Sequence, residues 1–231
     1  MTLDELERLL DKNNIKDKEY FINNVENIFL HKEFQKRLTS EFPHHGKTTL
    51  GMHILEVAMK SYKLVKNKKN INASLVLKIA MMHDLYTYPW QNNKVHKNSF
   101  YHKHGFVHPI EAVINAINWY SDEFINDDNS KIIIDGILHH MYCFPVASTK
   151  SFEKNELELV NYDLLDNISE KNKKIILDSL NRRKTGKISY CKSKYKEGRI
   201  VRLADHLVSL KQITRPSDAV ALVTGKNKRL K

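Results

Sequence analysis

The stretch from Asn72 to Leu85 leaves a chain like this little choice of architecture. Leu75, Val76, Ile79, Ala80 and Met82 recur at helical spacing, Asn72 stands where an N-cap side chain belongs, and Tyr86-Thr87-Tyr88-Pro89 cannot prolong the run. His83 and Asp84 stand at its end. Neighbouring residues on a helix splay by about 100°, so these two side chains converge only if the helix stops there, as the sequence predicts. A neutral imidazole beside a carboxylate whose two oxygens can bridge two cations is a sound core for a mono- or dinuclear metal site. Taken alone, the same pair also reads as a polar helix end facing water.

The remaining patterns are helical too. Thr2 and Glu5 form a capping-box pattern before Leu6, Leu9 and Leu10, and Tyr20, Phe21, Val25, Ile28 and Phe29 mark a second helix. Phe42-Pro43-His44-His45-Gly46 reads as a loop with surface histidines. A helix from about Thr49 carries His53 among Leu50, Ile54, Leu55 and Ala58. His108-Pro109 is expected to open another, with proline at its first position. A further helix, from about Ser130 to Tyr142, ends in the pair His139-His140. Two more are expected between Glu156 and Lys184, and a last one from about Glu197 to Ile213. That last helix holds Asp205 on an apolar face, where an isolated carboxylate is expensive and a metal ion would compensate it.

The expected fold is therefore an all-α, single-domain helical bundle. Residues 1–48 form an N-terminal helical extension, 49–214 the main domain, and 215–231 a short C-terminal helix with a basic tail. At 231 residues the chain is long enough for a substantial core. No apolar stretch approaches the roughly 18 residues that span a bilayer, and the acidic N-terminus is unlike a signal peptide, so a cytoplasmic location without membrane contact is expected. Cys143 and Cys191 lack CxxC partners and suggest neither a disulfide framework nor a zinc-thiolate site.

A net charge of +11 favours anionic partners. The long connection from Tyr86 to Val107 mixes Trp90 and His96 with Lys94, Lys97, Lys103 and His104, which suits a lid over a phosphorylated substrate or a plain surface loop. Arg182 to Arg202 interleaves Tyr190 and Tyr195 with cations, a pattern for nucleic acid or nucleotide, or for a solvated segment.

In order, the singular residues are His53, His83-Asp84, His108, His139-His140 and Asp205. Gly51-Met-His53-Ile-Leu-Glu-Val-Ala, Ile79-Ala-Met-Met-His83-Asp84 and Leu203-Ala-Asp205-His-Leu-Val-Ser together resemble the HD-domain superfamily of metal-dependent phosphohydrolases, over roughly Thr49 to Thr214. The resemblance implies that His53, His83, Asp84 and Asp205 hold one divalent ion. His108 and His139, with Asp84 bridging and His140 joining, would hold a second, as in the dinuclear branch of the superfamily. It implies hydrolysis of a phosphomonoester, phosphoanhydride or phosphodiester of a nucleotide-like substrate by metal-activated hydroxide, with Asp84 and His83 central to catalysis. The alternatives are a non-catalytic nucleotide-sensing or nucleic-acid-binding module, and a nuclease.

Two departures stand out. Many HD enzymes follow the signature with a small-residue turn and a lysine that steadies phosphate, where this chain has Leu85-Tyr86-Thr87; Lys94, Lys97, Lys103, His104 and Arg199 are the candidate replacements. The Gly-Tyr-Pro motif of cyclic-di-GMP hydrolases is absent, which weakens that substrate assignment. Imidazole and carboxylate donors without thiolates select ions such as Mn, Fe, Ni, Co or Zn. Two such ions about 3.5 to 4 Å apart can clamp both oxygens of an in-line displacement.

Overall fold

A computed structural model describes residues 1–44, 48–88, 104–141, 167–181 and 192–212. These form nine α-helices and no strand: α1 Leu3–Lys12, α2 Lys18–Leu30, α3 Lys32–Arg37, α4 Leu50–Val65, α5 Ala73–Met82, α6 His104–Trp119, α7 Asp127–Leu138, α8 Glu170–Asn181 and α9 Lys196–Gln212. None is long and apolar enough to cross a membrane. Cys143, Cys191, the first of the two helices expected after Glu156, and residues 215–231 lie outside the described residues.

Helix starts fall where short polar side chains can accept from unpaired backbone N–H groups. Thr2 and Glu5 form the expected capping box, Thr49 accepts from Met52 N, and Asn72 accepts from Leu75 N. Asn126 caps α7 by accepting from Asp128 N and Asn129 N.

Helix α5 is the hub. Leu75, Val76, Leu77, Ile79, Ala80, Met81 and Met82 are all buried, so it is covered nearly all round, by α2, α4, α6, α7 and α9. Leu6 and Leu10 of α1 and Phe21, Val25 and Phe29 of α2 belong to the same continuous core as Val201 and Ala204 of α9. Helices α7 and α9 cross glycine on glycine: a Cβ on Gly198 would lie 2.6 Å from Gly136 Cα, and one on Gly136 would lie 2.8 Å from Ile79 Cδ1. Only bare backbone fits there, and the crossing fixes α9 against the C-terminal turn of α7.

Two boundaries differ from expectation. Helix α6 begins a turn before Pro109, which sits inside it. The missing proline N–H costs one intrahelical bond, while the extra turn gains a bond from His108 Nδ1 to His104 O at 2.7 Å and stacks the two rings 4.3 Å apart. Helix α7 starts earlier than expected, at the Asn126 cap, and stops at Leu138, leaving His139 and His140 in the turn beyond it.

The segment that leaves α5 is anchored from three sides. Asn115 donates to Leu85 O at 2.6 Å, buried Arg37 donates to Tyr86 O at 2.6 Å, and Glu111 accepts from Thr87 N at 2.9 Å. Arg37 lies over the rings of Trp119 and Phe42, 4.7 and 5.1 Å from their centroids, so its charge is buried in a cation–π sandwich.

Candidate metal centre

The site forms where α5 and α7 end and α4 and α6 begin, with α9 alongside. Helix α5 stops at Met82, and His83 and Asp84 turn inward, both buried. His53 comes from the first turns of α4, His108 from α6, His140 from the turn after α7, and Asp205 from α9. All are buried.

Asp84 stands between two sets of donors. Its Oδ2 lies 3.7 Å from His53 Nε2 and 3.6 Å from His83 Nε2, while Asp205 Oδ1 lies 3.1 Å from the first of these nitrogens and 3.9 Å from the second. Its Oδ1 faces the other way, 3.3 Å from His108 Nε2 and 3.5 Å from His140 Nε2. His53, His83 and Asp205 thus form one group able to hold an ion, and Asp84, His108 and His140 another, with ligand atoms within 4.8 Å of one another in each.

The tautomers follow from the outer nitrogens. His83 Nδ1 lies 2.7 Å from Ala80 O, His140 Nδ1 2.7 Å from Ile137 O, and His108 Nδ1 2.7 Å from His104 O. Carbonyls only accept, so each Nδ1 carries a proton and each Nε2 is turned inward, where it offers a lone pair whenever it is not itself protonated. The carbonyls of Ala80 and Ile137 lie in last helical turns, where intrahelical partners run out. His53 is fixed through two side chains. Gln212 Nε2 donates to the Glu56 carboxylate at 2.9 Å, which turns its Oε1 to accept from His53 Nδ1 at 2.9 Å.

The electrostatics match. Burial alone would raise the carboxyls of Asp84 and Asp205, but the imidazoles around them reverse the sign and hold both below the usual range. Burial lowers His83 to about 4, so it is neutral at physiological pH. Burial also opposes charge on His53 and His140, yet hydrogen bonds and charge from Asp205 and Asp84 respectively prevail and raise both. His83 Nε2 and Asp84 Oδ1 are buried and make no hydrogen bond. Such groups cost about 1–3 kcal/mol each, a cost that a coordinated cation removes. The residues fit divalent metal.

The expected ligands do not all converge. His139 joins neither group: its Nε2 lies 3.1 Å from Ser179 Oγ on α8 and 3.8 Å from Asp135 Oδ1. Adjacent residues face different ways, and here His140 takes the inward position. His104, a candidate for substrate binding, is buried beside His108. Its carbonyl accepts from His108, and its Nδ1 lies 2.9 Å from Tyr88 Oη. Arg199 is engaged by the carbonyls of Ser193 and Lys194 at 2.8 and 2.9 Å. Lys94, Lys97, Lys103 and Arg182 to Cys191 lie outside the described residues.

Sequence reasoning missed three participants. His44, expected at the surface, is buried, its ring centroid 4.0 Å from that of His53 and its Nδ1 3.1 Å from Tyr86 Oη. A nitrogen of His44 lies within 4.8 Å of ligand atoms of His53 and Asp84. Tyr86 is the second. Gln212, the third, had a readable signal, since it falls seven residues after Asp205 and so on the same helix face.

Fold and site together define an all-α protein with a buried His/Asp cluster able to hold metal ions. Comparison with known proteins adds no relative: no family model, no curated protein and no solved structure matches the chain.

Proposed function

We propose that the protein is a metal-dependent phosphohydrolase of the HD-domain type, cleaving a phosphomonoester, phosphoanhydride or phosphodiester bond of a nucleotide-like substrate. The observation that carries this reading is the position of Asp84, whose two oxygens face two separate imidazole groups with Nε2 atoms turned inward. The order of motifs along the chain supports it. Bound divalent ions supply Lewis acidity and lower the pKa of water toward neutrality. The chain's own contribution is rigidity. Asn115, Arg37 and Glu111 hold the segment after Asp84, and oxygen acceptors on the outer nitrogens fix four imidazole rings, so little reorganisation is needed when charge develops. The net charge of +11 draws anionic substrates toward the protein.

The test is elemental analysis of protein purified without chelator or metal-affinity resin, paired with phosphate release from mono-, di- and cyclic nucleotides with added Mn. Close to two ions per chain with turnover is the expected result, and Asp84→Ala abolishes turnover while circular dichroism stays helical. Metal-free protein that remains inactive after reconstitution overturns the reading in favour of a binding module.

A further inference from the structure

Helix α4 starts at the metal centre and carries a line of cations along its far half. Lys60, Lys63 and Lys66 succeed one another on it, Lys68 and Lys69 follow just beyond its end, and Lys211 comes up beside Lys63 from α9. None of these six forms an ion pair, whereas Lys18, Lys36, Lys78, Lys131, Lys171 and Lys173 all do. Two carboxylates stand close by, and both are engaged elsewhere. Glu56 accepts from Gln212 Nε2 at 2.9 Å, and Asp17 accepts from Tyr20 N at 3.1 Å as the cap of α2. Lys63 shows the result: burial, and then the like charges of Lys60, Lys66 and Lys211, lower its pKa below the ordinary lysine value. A helix dipole favours a basic residue in the last turn, but one or two suffice for that, and like charges crowded together repel.

The cations edge two grooves that share the same turns of α4. One, of about 350 Å³, runs between α4 and α9 over Met59 and Val208, with Lys60, Lys63 and Lys211 around it. The other, of about 310 Å³, has Lys66, Lys68 and Lys69 beside Tyr20 and Tyr62. The two rings stack, their centroids 5.9 Å apart and their planes 23° from parallel. Tyr62 is buried, while Tyr20 is 37% exposed. Cations in a row beside an exposed aromatic ring suit a chain that alternates phosphates with flat bases. A duplex hides its bases from such a ring, and a lipid surface is too flat to follow two grooves.

We propose that this face, from Lys60 to Lys69 with Lys211 and Tyr20, binds single-stranded nucleic acid, its phosphates held by the lysines and a base stacked on Tyr20. The surface is distinct from the segment Arg182 to Arg202, where the sequence pattern suggested nucleic acid. It also lies apart from the metal centre, since Lys60 falls seven residues after His53, about 10 Å along the helix. The proposal does not rest on the hydrolase reading, because binding here requires no turnover.

The experiment is titration of a dye-labelled oligothymidylate, long enough to cross both grooves, read by fluorescence anisotropy at several salt concentrations. With about six phosphates neutralised, log K is expected to fall against log salt with a slope of about −4. Lys60→Gln/Lys63→Gln/Lys66→Gln should halve that slope and weaken binding on the order of 100-fold at about 0.1 M salt. Removing the same charge from α8, as Lys171→Gln/Lys173→Gln/Lys174→Gln, should leave slope and affinity nearly unchanged. Tyr20→Ala should weaken binding about tenfold at constant slope, and Tyr20→Phe should restore it. Absence of binding, or equal losses in the two triple variants, overturns the proposal. A duplex that binds as tightly as the single strand overturns it too, and decides the matter should Tyr20→Ala fail to fold. Binding to vesicles of phosphatidylserine and phosphatidylcholine, with none to the oligonucleotide, overturns it in favour of a lipid surface.

Discussion

His108 Nε2 and His140 Nε2 stand 2.9 Å apart, although both outer nitrogens already face carbonyl oxygens. Two lone pairs cannot meet at that distance without a proton between them, so the metal-free protein holds one ring as an imidazolium. Asp84 Oδ1, 3.3 and 3.5 Å from the two nitrogens, balances the charge. A divalent ion at this group needs both lone pairs and must displace the proton.

Metal loading is therefore expected to release about one proton at this group near neutral pH. The sign of the pH dependence follows. Burial works against protonation of His140, but Asp84 raises its pKa above the ordinary histidine value. Competition by the proton is strongest below that raised pKa and fades as pH rises through it, so apparent metal affinity climbs and then levels. Calorimetric titration in two buffers of different ionisation enthalpy measures the release directly; identical heats in both buffers would contradict it.

The adjacent histidines make a sharper test. His140→Ala removes one of three donors from the second group, and metal content is expected to fall by about one ion per chain, with turnover down by at least 100-fold, within the range of losses when a catalytic constellation is broken. His139→Ala should leave metal content intact. It removes the contact with Ser179 on α8 and costs stability, about 1–3 kcal/mol as an ordinary buried polar contact. Elemental analysis and urea denaturation of both variants separate the roles, and the reverse pattern would show that the two rings are assigned the wrong way round.

The difference between these two residues also marks how far the sequence could be read. Helical spacing and the caps at Thr49 and Asn72 announce α4 and α5, and the Tyr-Thr-Tyr-Pro breaker announces that α5 ends at the His-Asp pair. Those signals are local. Choosing between His139 and His140 requires knowing how α7 ends and where α8 stands, and neither is encoded within a few residues. His44 was opaque for the same reason, because its burial depends on Tyr86 and on the closure between Phe42 and Leu50. The early start of α6 was hidden by a preference: proline favours the first turn, but contacts between His104 and His108 outweighed it.

Gly198 offers a test of the packing that carries Asp205. Its Cβ in Gly198→Ala would fall 2.6 Å from Gly136 Cα and closer still to Ser193 Oγ. Backbone cannot yield as a flexible side chain does, so α9 must shift. Alanine is the better helix former by about 1 kcal/mol, yet net destabilisation of about 1–3 kcal/mol is expected from overpacking. Denaturant unfolding checks the stability, and a weakened first ion in the metal titration checks that the shift reaches Asp205. A stabilised variant would mean the helices do not cross this closely.

Glu111 supplies a pH signature independent of the metal ligands. It is 2% exposed, and burial pushes its carboxyl from 4.5 up to about 7, against the opposing hydrogen bonds from Thr87 and the charge of Arg37. The folded protein thus holds this proton more tightly than the unfolded chain. Its contribution to stability is whole below pH 4.5, falls as pH rises from there, and levels once pH passes about 7. The total loss is on the order of 3 kcal/mol. Glu111→Gln keeps an oxygen for Thr87 and cannot ionise, so its stability is expected to lack this component. Urea unfolding of wild type and variant between pH 4.5 and pH 8 should show the gap between them shifting in the variant's favour by that amount as pH rises. Parallel stability curves would mean that Glu111 already ionises in the folded protein at its ordinary pKa, with the Thr87 donors and the buried Arg37 charge fully offsetting its burial.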